Sequence, residues 1–180
     1  MRSADNLVWI DLEMSGLDVE RDVILEIATI ITDRQLNELA QGPVFSIHQS
    51  DEILNTMDPW CRGQHGKSGL TEAVRKSTTT IEQAEEITLE FLRDYCFAKK
   101  SVLCGNSVWQ DRIFLRRYMP RITDFLHYRI IDVSSVKELI SHWYPTSPDL
   151  SFVKKDTHRA LDDIRESIAE LRHYRMKFFV

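Results

Sequence analysis

The segment at residues 23–32 constrains the fold more than any other part of this chain. Val23, Ile24, Leu25, Ile27, Ile30 and Ile31 crowd it with apolar side chains. A strand this dense must be covered on both faces and cannot lie at the edge of a sheet. Residues 7–14 read as another apolar strand just before it. Residues 42–48 read as a third, after a turn at Gln41-Gly42-Pro43. Three strands in close succession predict an antiparallel meander.

Helices dominate the rest. Residues 80–97 place Ile81, Ala84, Ile87, Leu89, Phe91 and Leu92 at an imperfect helical period, with Thr80 as N-cap and Gln83 completing a capping box. A short strand at 101–104 ends at Gly105-Asn106, and a helix at 107–118 is stopped by Pro120. A strand at 129–133, a helix at 134–144 ended by Pro145, and a last helix from about 157 to 176 follow. A meander followed by alternating helices and strands is a mixed α/β pattern. No repeat, low-complexity stretch or linker divides the 180 residues, so one domain over 1–180 is expected.

Composition narrows the setting. With 43% hydrophobic and 28% charged residues the chain reads as an ordinary globular protein, without a stretch apolar and long enough to cross a membrane. The N-terminus lacks the layout of a secretory signal. Cys61, Cys96 and Cys104 are odd in number and lack metal-ligand spacing, which suits reduced thiols in the cytoplasm. A net charge of −5 argues against a long electrostatic track for a nucleic-acid polymer, yet leaves room for a short oligomer whose phosphates meet screened carboxylates.

Three segments carry the chemistry. In Trp9-Ile10-Asp11-Leu12-Glu13-Met14, residues two apart share a face, so Asp11 and Glu13 project together from an apolar strand. They repel unless a cation or proton lies between them; a solvated strand face is the plain alternative. Asp111 falls in the first turns of the helix that follows Gly105-Asn106-Ser107, a strand-to-helix junction where ligands often bind, although an acid there also complements the helix dipole. In Thr157-His158-Arg159-Ala160-Leu161-Asp162-Asp163-Ile164, the apolar stripe is Ala160, Leu161, Ile164, Ile168 and Leu171. At about 100° per residue, Asp162 points roughly opposite Ile164, whereas Asp163 lies at the stripe's edge beside Ala160 and Ser167. Asp163 is therefore the better ligand and Asp162 the solvated charge. His158 and Asp163 would point about 140° apart if both were helical, so His158 belongs before the first full turn or on a loop leading into it.

With Asp-x-Glu in the first strand, Asp111 in mid-chain and His-x-x-x-x-Asp near the end, the chain resembles the DEDD exonuclease superfamily in its histidine-containing form. Longer stretches at 9–18, 105–114 and 158–168 (His-Arg-Ala-Leu-Asp-Asp-Ile-Arg-Glu-Ser-Ile in the last) resemble the oligoribonuclease family within it, over essentially the whole chain. The resemblance implies a ribonuclease H-like mixed sheet, antiparallel meander plus parallel strands, flanked by helices. It implies a 3′→5′ exoribonuclease that degrades short single-stranded RNA, down to dinucleotides, to nucleoside 5′-monophosphates with two divalent cations, Mg²⁺ or Mn²⁺. Asp11, Glu13, Asp111 and Asp163 are the implied metal ligands: Asp11 bridging both cations, Glu13 and Asp163 holding the one nearer the attacking water, Asp111 completing the set. His158 is the implied general base. Carboxylate oxygens suit such hard cations, and two of them about 3.5–4 Å apart serve the attacking and leaving oxygens of a phosphodiester.

Further roles follow from the same resemblance. Leu17, just past the first strand, is placed to pack against a base, and Trp60 and His65 are implied to position the terminal nucleotide; core packing is the plain alternative for Trp60. Ser107, Tyr128, Arg129 and Ser134 are suitable types for a 5′-phosphate pocket that would block longer substrates. The segment 128–134 is implied to reach in from the second subunit of a homodimer with a shared site, and His127-Tyr128 and residues 177–180 would fit its interface. Three other readings stay open. A related exonuclease acting on longer RNA or DNA ends would use the same five residues, a non-catalytic nucleotide-binding module would not need all of them, and a structural Ca²⁺ site would draw ligands from three distant segments without a calcium-loop pattern.

Overall fold

The structure, a computed structural model, describes residues 1–153 and 159–179. Its sheet has five strands: β1 Leu7–Met14, β2 Ile24–Thr32, β3 Glu38–Ser46, β4 Leu103–Gly105 and β5 Ile130–Asp132, in the order β3-β2-β1-β4-β5. The first three run antiparallel; β4 and β5 are parallel to β1. The expected mixed sheet is present, and every residue of β2 is buried.

Helices close both faces. On one side, α4 (Ile81–Tyr95), α5 (Val108–Tyr118) and α6 (Pro120–Phe125) pack over Val8, Ile10 and Leu12 of β1 and Ile24, Ile27 and Ile31 of β2. On the other, α7 (Val133–Trp143) and α8 (Ala160–Phe178) cover Trp9, Ala28 and Ile30. Three short helices, α1 (Asp51–Thr56), α2 (Pro59–Lys67) and α3 (Leu70–Lys76), enclose a smaller core around Leu25. The period of two along β1 thus sends Val8, Ile10 and Leu12 under α4–α6 and leaves Trp9, Asp11 and Glu13 on the α8 side. Trp9 satisfies its indole N–H by donating to Thr32 Oγ1 at 3.0 Å.

Local signals explain most boundaries. Thr80 and Gln83 form both bonds of the capping box, at 3.3 and 3.0 Å. The stretch around Trp60 is α2, opened by Pro59 and capped by Asp58, which accepts from Cys61 N at 2.9 Å. Pro120 opens α6 as well as closing α5, since its missing N–H costs nothing at a first helical position. Asp132 caps α7 by accepting from Ser134 N at 2.9 Å. Thr157, the expected start of the last helix, lies outside the described residues, and α8 is described from Ala160. The three cysteines are buried thiols, and no helix among the described residues is long and apolar enough to cross a membrane.

The third strand differs from expectation. It begins at Glu38 and runs through Gln41-Gly42-Pro43, where a turn was expected. Ala28 pairs with Val44 but Ile30 pairs with Gln41, so the extra residue is absorbed as a bulge. Gly42 suits this position because the Phe91 ring of α4 packs against it: a Cβ would stand 2.7 Å from the ring. Gly42→Ala is expected to cost about 1–3 kcal/mol through overpacking, read as a lower midpoint of thermal unfolding.

Candidate active site

Asp11 and Glu13 leave β1 toward the first turn of α8, where Asp163 meets them. One carboxylate oxygen from each lies within 4.8 Å of the others. Asp162 stays exposed, as the helical angle required. Asp111 approaches from α5. Beyond Trp9 the edge of β1 is no longer covered by β4, which ends at Gly105, and Asp111 Oδ1 accepts the Leu12 N–H there at 3.0 Å. That bond holds the buried Asp111 carboxylate beside Asp11.

The electrostatics are those of acids crowded away from water. Burial first, then the charges of Asp111, Glu13, Asp163 and Glu26, hold the Asp11 carboxyl well above its usual range. Glu13 is pushed up to about 8 by burial and by Asp163, Glu26 and Asp111, with Arg159 opposing. Asp111 is raised to about 7 by burial against the lowering effect of its bond from Leu12. Such a group holds either protons or cations. The donors at the cluster are all carboxylate oxygens, which fits hard divalent ions.

Sequence reasoning passed over Glu26. It pairs directly across the ladder from Glu13, and its side chain is 1% exposed. Arg159 Nε and Nη2 donate to its two oxygens at 3.0 and 2.7 Å, Ala160 N at 3.2 Å and Ser46 Oγ at 3.3 Å. This ion pair pins the start of α8 one turn before Asp163. The available signal was an acid in the middle of the most apolar strand.

The other expected site residues separate into groups. His65 is buried, its Nε2 donating to Met14 O at 2.9 Å; Nδ1 then presents a lone pair or a proton toward Glu13 Oε2, 3.8 Å away. The ring thus braces the Glu13 end of β1. Leu17 is 72% exposed on the loop after β1, and Trp60 is 65% exposed on α2. The Leu17 loop is tied down by Gln110 Nε2 donating to Leu17 O at 2.8 Å and by Asp22, which accepts from Ser15 Oγ and Asp18 N at 3.0 and 2.9 Å. His158 lies outside the described residues.

Ser107 and Ser134 stand side by side in the same chain, their hydroxyls 3.2 Å apart. The resemblance implies that the 128–134 segment reaches in from a second subunit; Ser134 of the same chain already lies beside Ser107. β5 and β4 are paired neighbours, so the loops that leave them converge. Ser107 takes a left-handed conformation, φ 49°, and its N–H donates to Asp132 Oδ1 and Ser134 Oγ, both at 3.0 Å. The pair borders a cavity of about 500 Å³ with Trp109 and Leu139. Tyr128 lines a different cavity, beside Arg112 and Arg116, stacked on His127 with the Arg129 guanidinium 5.4 Å from its ring.

Comparison with known proteins gives a consistent picture. A family model for exonucleases of the RNase T type matches residues 8–171. The chain is 57% identical to the oligoribonuclease of Pseudomonas aeruginosa over 178 residues, 99% of this chain and 98% of that one. It is 55% identical to the oligoribonuclease of Pseudomonas putida over the same shares. In fold it is similar to Escherichia coli exonuclease I in its zinc-bound complex with single-stranded DNA, with a TM-score of 0.71 and 19% identity over 99% of this chain. Exonuclease I from Methylocaldum szegediense gives 0.69 and 18% over 96%. This chain spans 41% of the length of either exonuclease I, and that likeness is one of fold.

Proposed function

Because this chain belongs to the oligoribonuclease family of exonucleases, we propose that it removes nucleoside 5′-monophosphates from the 3′ ends of short RNA, down to dinucleotides, with two divalent cations, Mg²⁺ or Mn²⁺. The observation that carries the reading is the meeting of Asp11, Glu13 and Asp163 within 4.8 Å, in a chain 57% identical to an oligoribonuclease over nearly its full length.

Asp11, Glu13 and Asp163, with Asp111 beside them, would hold the cations, which when bound supply positive charge to the attacking and leaving oxygens. His158 takes the proton from the attacking water, a task suited to its reference pKa of about 6.5. His65 keeps Glu13 in place from beneath. Leu17 and Trp60 offer exposed apolar surface on which terminal bases pack. Ser107 and Ser134 receive the 5′-terminal phosphate, and a seat at that end shortens the RNA that fits. Tyr128 and Arg129 reach the corresponding seat of a second copy in a homodimer; the 69% exposure of Tyr128, away from the hydroxyl pair of its own chain, and the Arg129 guanidinium 5.4 Å from its ring support that reading. The buried thiols suit a cytoplasmic enzyme.

The test uses end-labelled RNA of graded length, from the dinucleotide upward, with Mg²⁺, Mn²⁺ or chelator. Mononucleotide release is expected to be fastest on the shortest RNA, to vanish with chelator, and to fall by about 10³-fold or more in Asp163→Ala. Equal or faster digestion of long strands would replace this reading with that of a broader exonuclease.

A further inference from the structure

Asn106, at the turn from β4 into α5, connects the two parts of the site through one side-chain amide. Its Nδ2 donates to Ser167 Oγ at 2.8 Å and to Glu170 Oε2 at 2.9 Å, both on α8. Its Oδ1 accepts from Ser134 Oγ at 3.1 Å. Both α8 partners dictate that orientation. Ser167 commits its single hydrogen to Asp163 O at 2.9 Å, so its oxygen is left to accept. Glu170 is a carboxylate that also accepts from Tyr174 Oη at 2.9 Å. Ser167, Glu170 and Tyr174 are all buried, so the amide cannot flip without stranding polar groups away from water.

A fixed polarity follows at the far end. Ser134 has one hydroxyl hydrogen, and Asn106 takes it. Ser134 then turns lone pairs toward Ser107, whose N–H lies 3.0 Å and whose Oγ lies 3.2 Å away. Ser107 is therefore the donor in the hydroxyl pair, and its hydrogen is the one that can turn from Ser134 to a ligand, because that of Ser134 is held by Asn106. We infer that Asn106 is a positioning residue for substrate selection: by holding Ser134 as an acceptor beside Ser107, it sets the Ser107 hydroxyl where its hydrogen can turn to an oxygen of the substrate's 5′-terminal phosphate. The inference rests on the reading of the serine pair as the 5′-phosphate seat. Through Ser167 the same amide is also tied to the turn of α8 that carries Asp163, so one buried network registers both ends of a short substrate.

The experiment compares KM and kcat on one dinucleotide with a 5′-phosphate and with a 5′-hydroxyl, in the wild-type enzyme with Mg²⁺ and in Asn106→Ala, Ser134→Ala and the double variant. The wild type is expected to prefer the phosphorylated form. In Asn106→Ala that preference falls by about tenfold, the scale of one hydrogen bond to a charged group, through a KM that rises more on the phosphorylated dinucleotide than on its partner. Because Asn106 acts through Ser134, the two single losses do not multiply in the double variant. A preference kept in Asn106→Ala, an equal loss on both dinucleotides, or losses that multiply would overturn the inference. Should Asn106→Ala not fold, Glu170→Gln takes its place in the same cycle and is judged by the same criteria. A wild type without preference would instead refute the phosphate seat itself, before any variant is made.

Discussion

Glu13→Gln is expected to abolish RNA hydrolysis and yet to raise the unfolding midpoint of the metal-free protein at pH 8 by about 6–12 °C. The folded-state pKa of Glu13 is raised from 4.5 to about 8. Between those values the folded protein keeps a proton that the unfolded chain has released. Stability therefore falls as pH rises through that window, by on the order of 3 kcal/mol once the partial exposure of the carboxylate is allowed for. Glutamine removes the penalty and, with it, a ligand. Excess Mg²⁺ or Mn²⁺ should raise the wild-type midpoint more at pH 8 than at pH 6, because protons compete for the same oxygens at the lower pH. Thermal unfolding in chelator checks the first statement. A variant less stable than the wild type at pH 8 would mean that the acids are held by something other than protons and metal.

Arg159→Ala should give the largest loss of stability, about 3 kcal/mol or roughly 6–12 °C, because it leaves Glu26 buried without its cation. The released charge would act on Glu13, directly opposite in the ladder. The metal concentration for half-maximal activity should also change, since the start of α8 loses its anchor. Arg159→Lys restores only part of the loss, one ammonium being unable to reproduce two parallel bonds. Adding Glu26→Gln to Arg159→Ala should recover much of the stability by removing the stranded charge. An unchanged midpoint in Arg159→Ala would show that water reaches Glu26 and that the pair anchors nothing.

The features legible in the sequence were those written in a local period. The density of residues 23–32 placed β2 inside the sheet. A period of two put Asp11 and Glu13 on one face, and the helical angle chose Asp163 over Asp162. Thr80 and Gln83 marked a helix start through a contact three residues long. What escaped was pairing at a distance. Glu26 lay hidden in an apolar run because its partner, Arg159, stands 133 residues away. Ser134 was assigned to another subunit by resemblance, and nothing local says that the β4 and β5 loops converge in one chain. His65 reads on the page as one residue of a Gly-containing segment, and only the packing of α2 beneath β1 turns its ring toward Glu13. Gly42-Pro43 carries the chemistry of a turn, and the ring of Phe91, far along the chain but in contact in the fold, gives no local sign that the segment is a bulged strand.

That bulge has a bearing on how copies of this chain can meet. Strands β3 and β5 are the two margins of the sheet. At β3 the proline offers no N–H, the extra residue breaks the even row of donors and acceptors, and Arg165 of α8 reaches over the margin to Glu38 and Gln41. At β5 only three residues are available. Neither margin can template a further strand. Copies of this chain that met would have to dock by side chains, and the nine buried residues of β2 are shielded from runaway strand-on-strand growth between molecules.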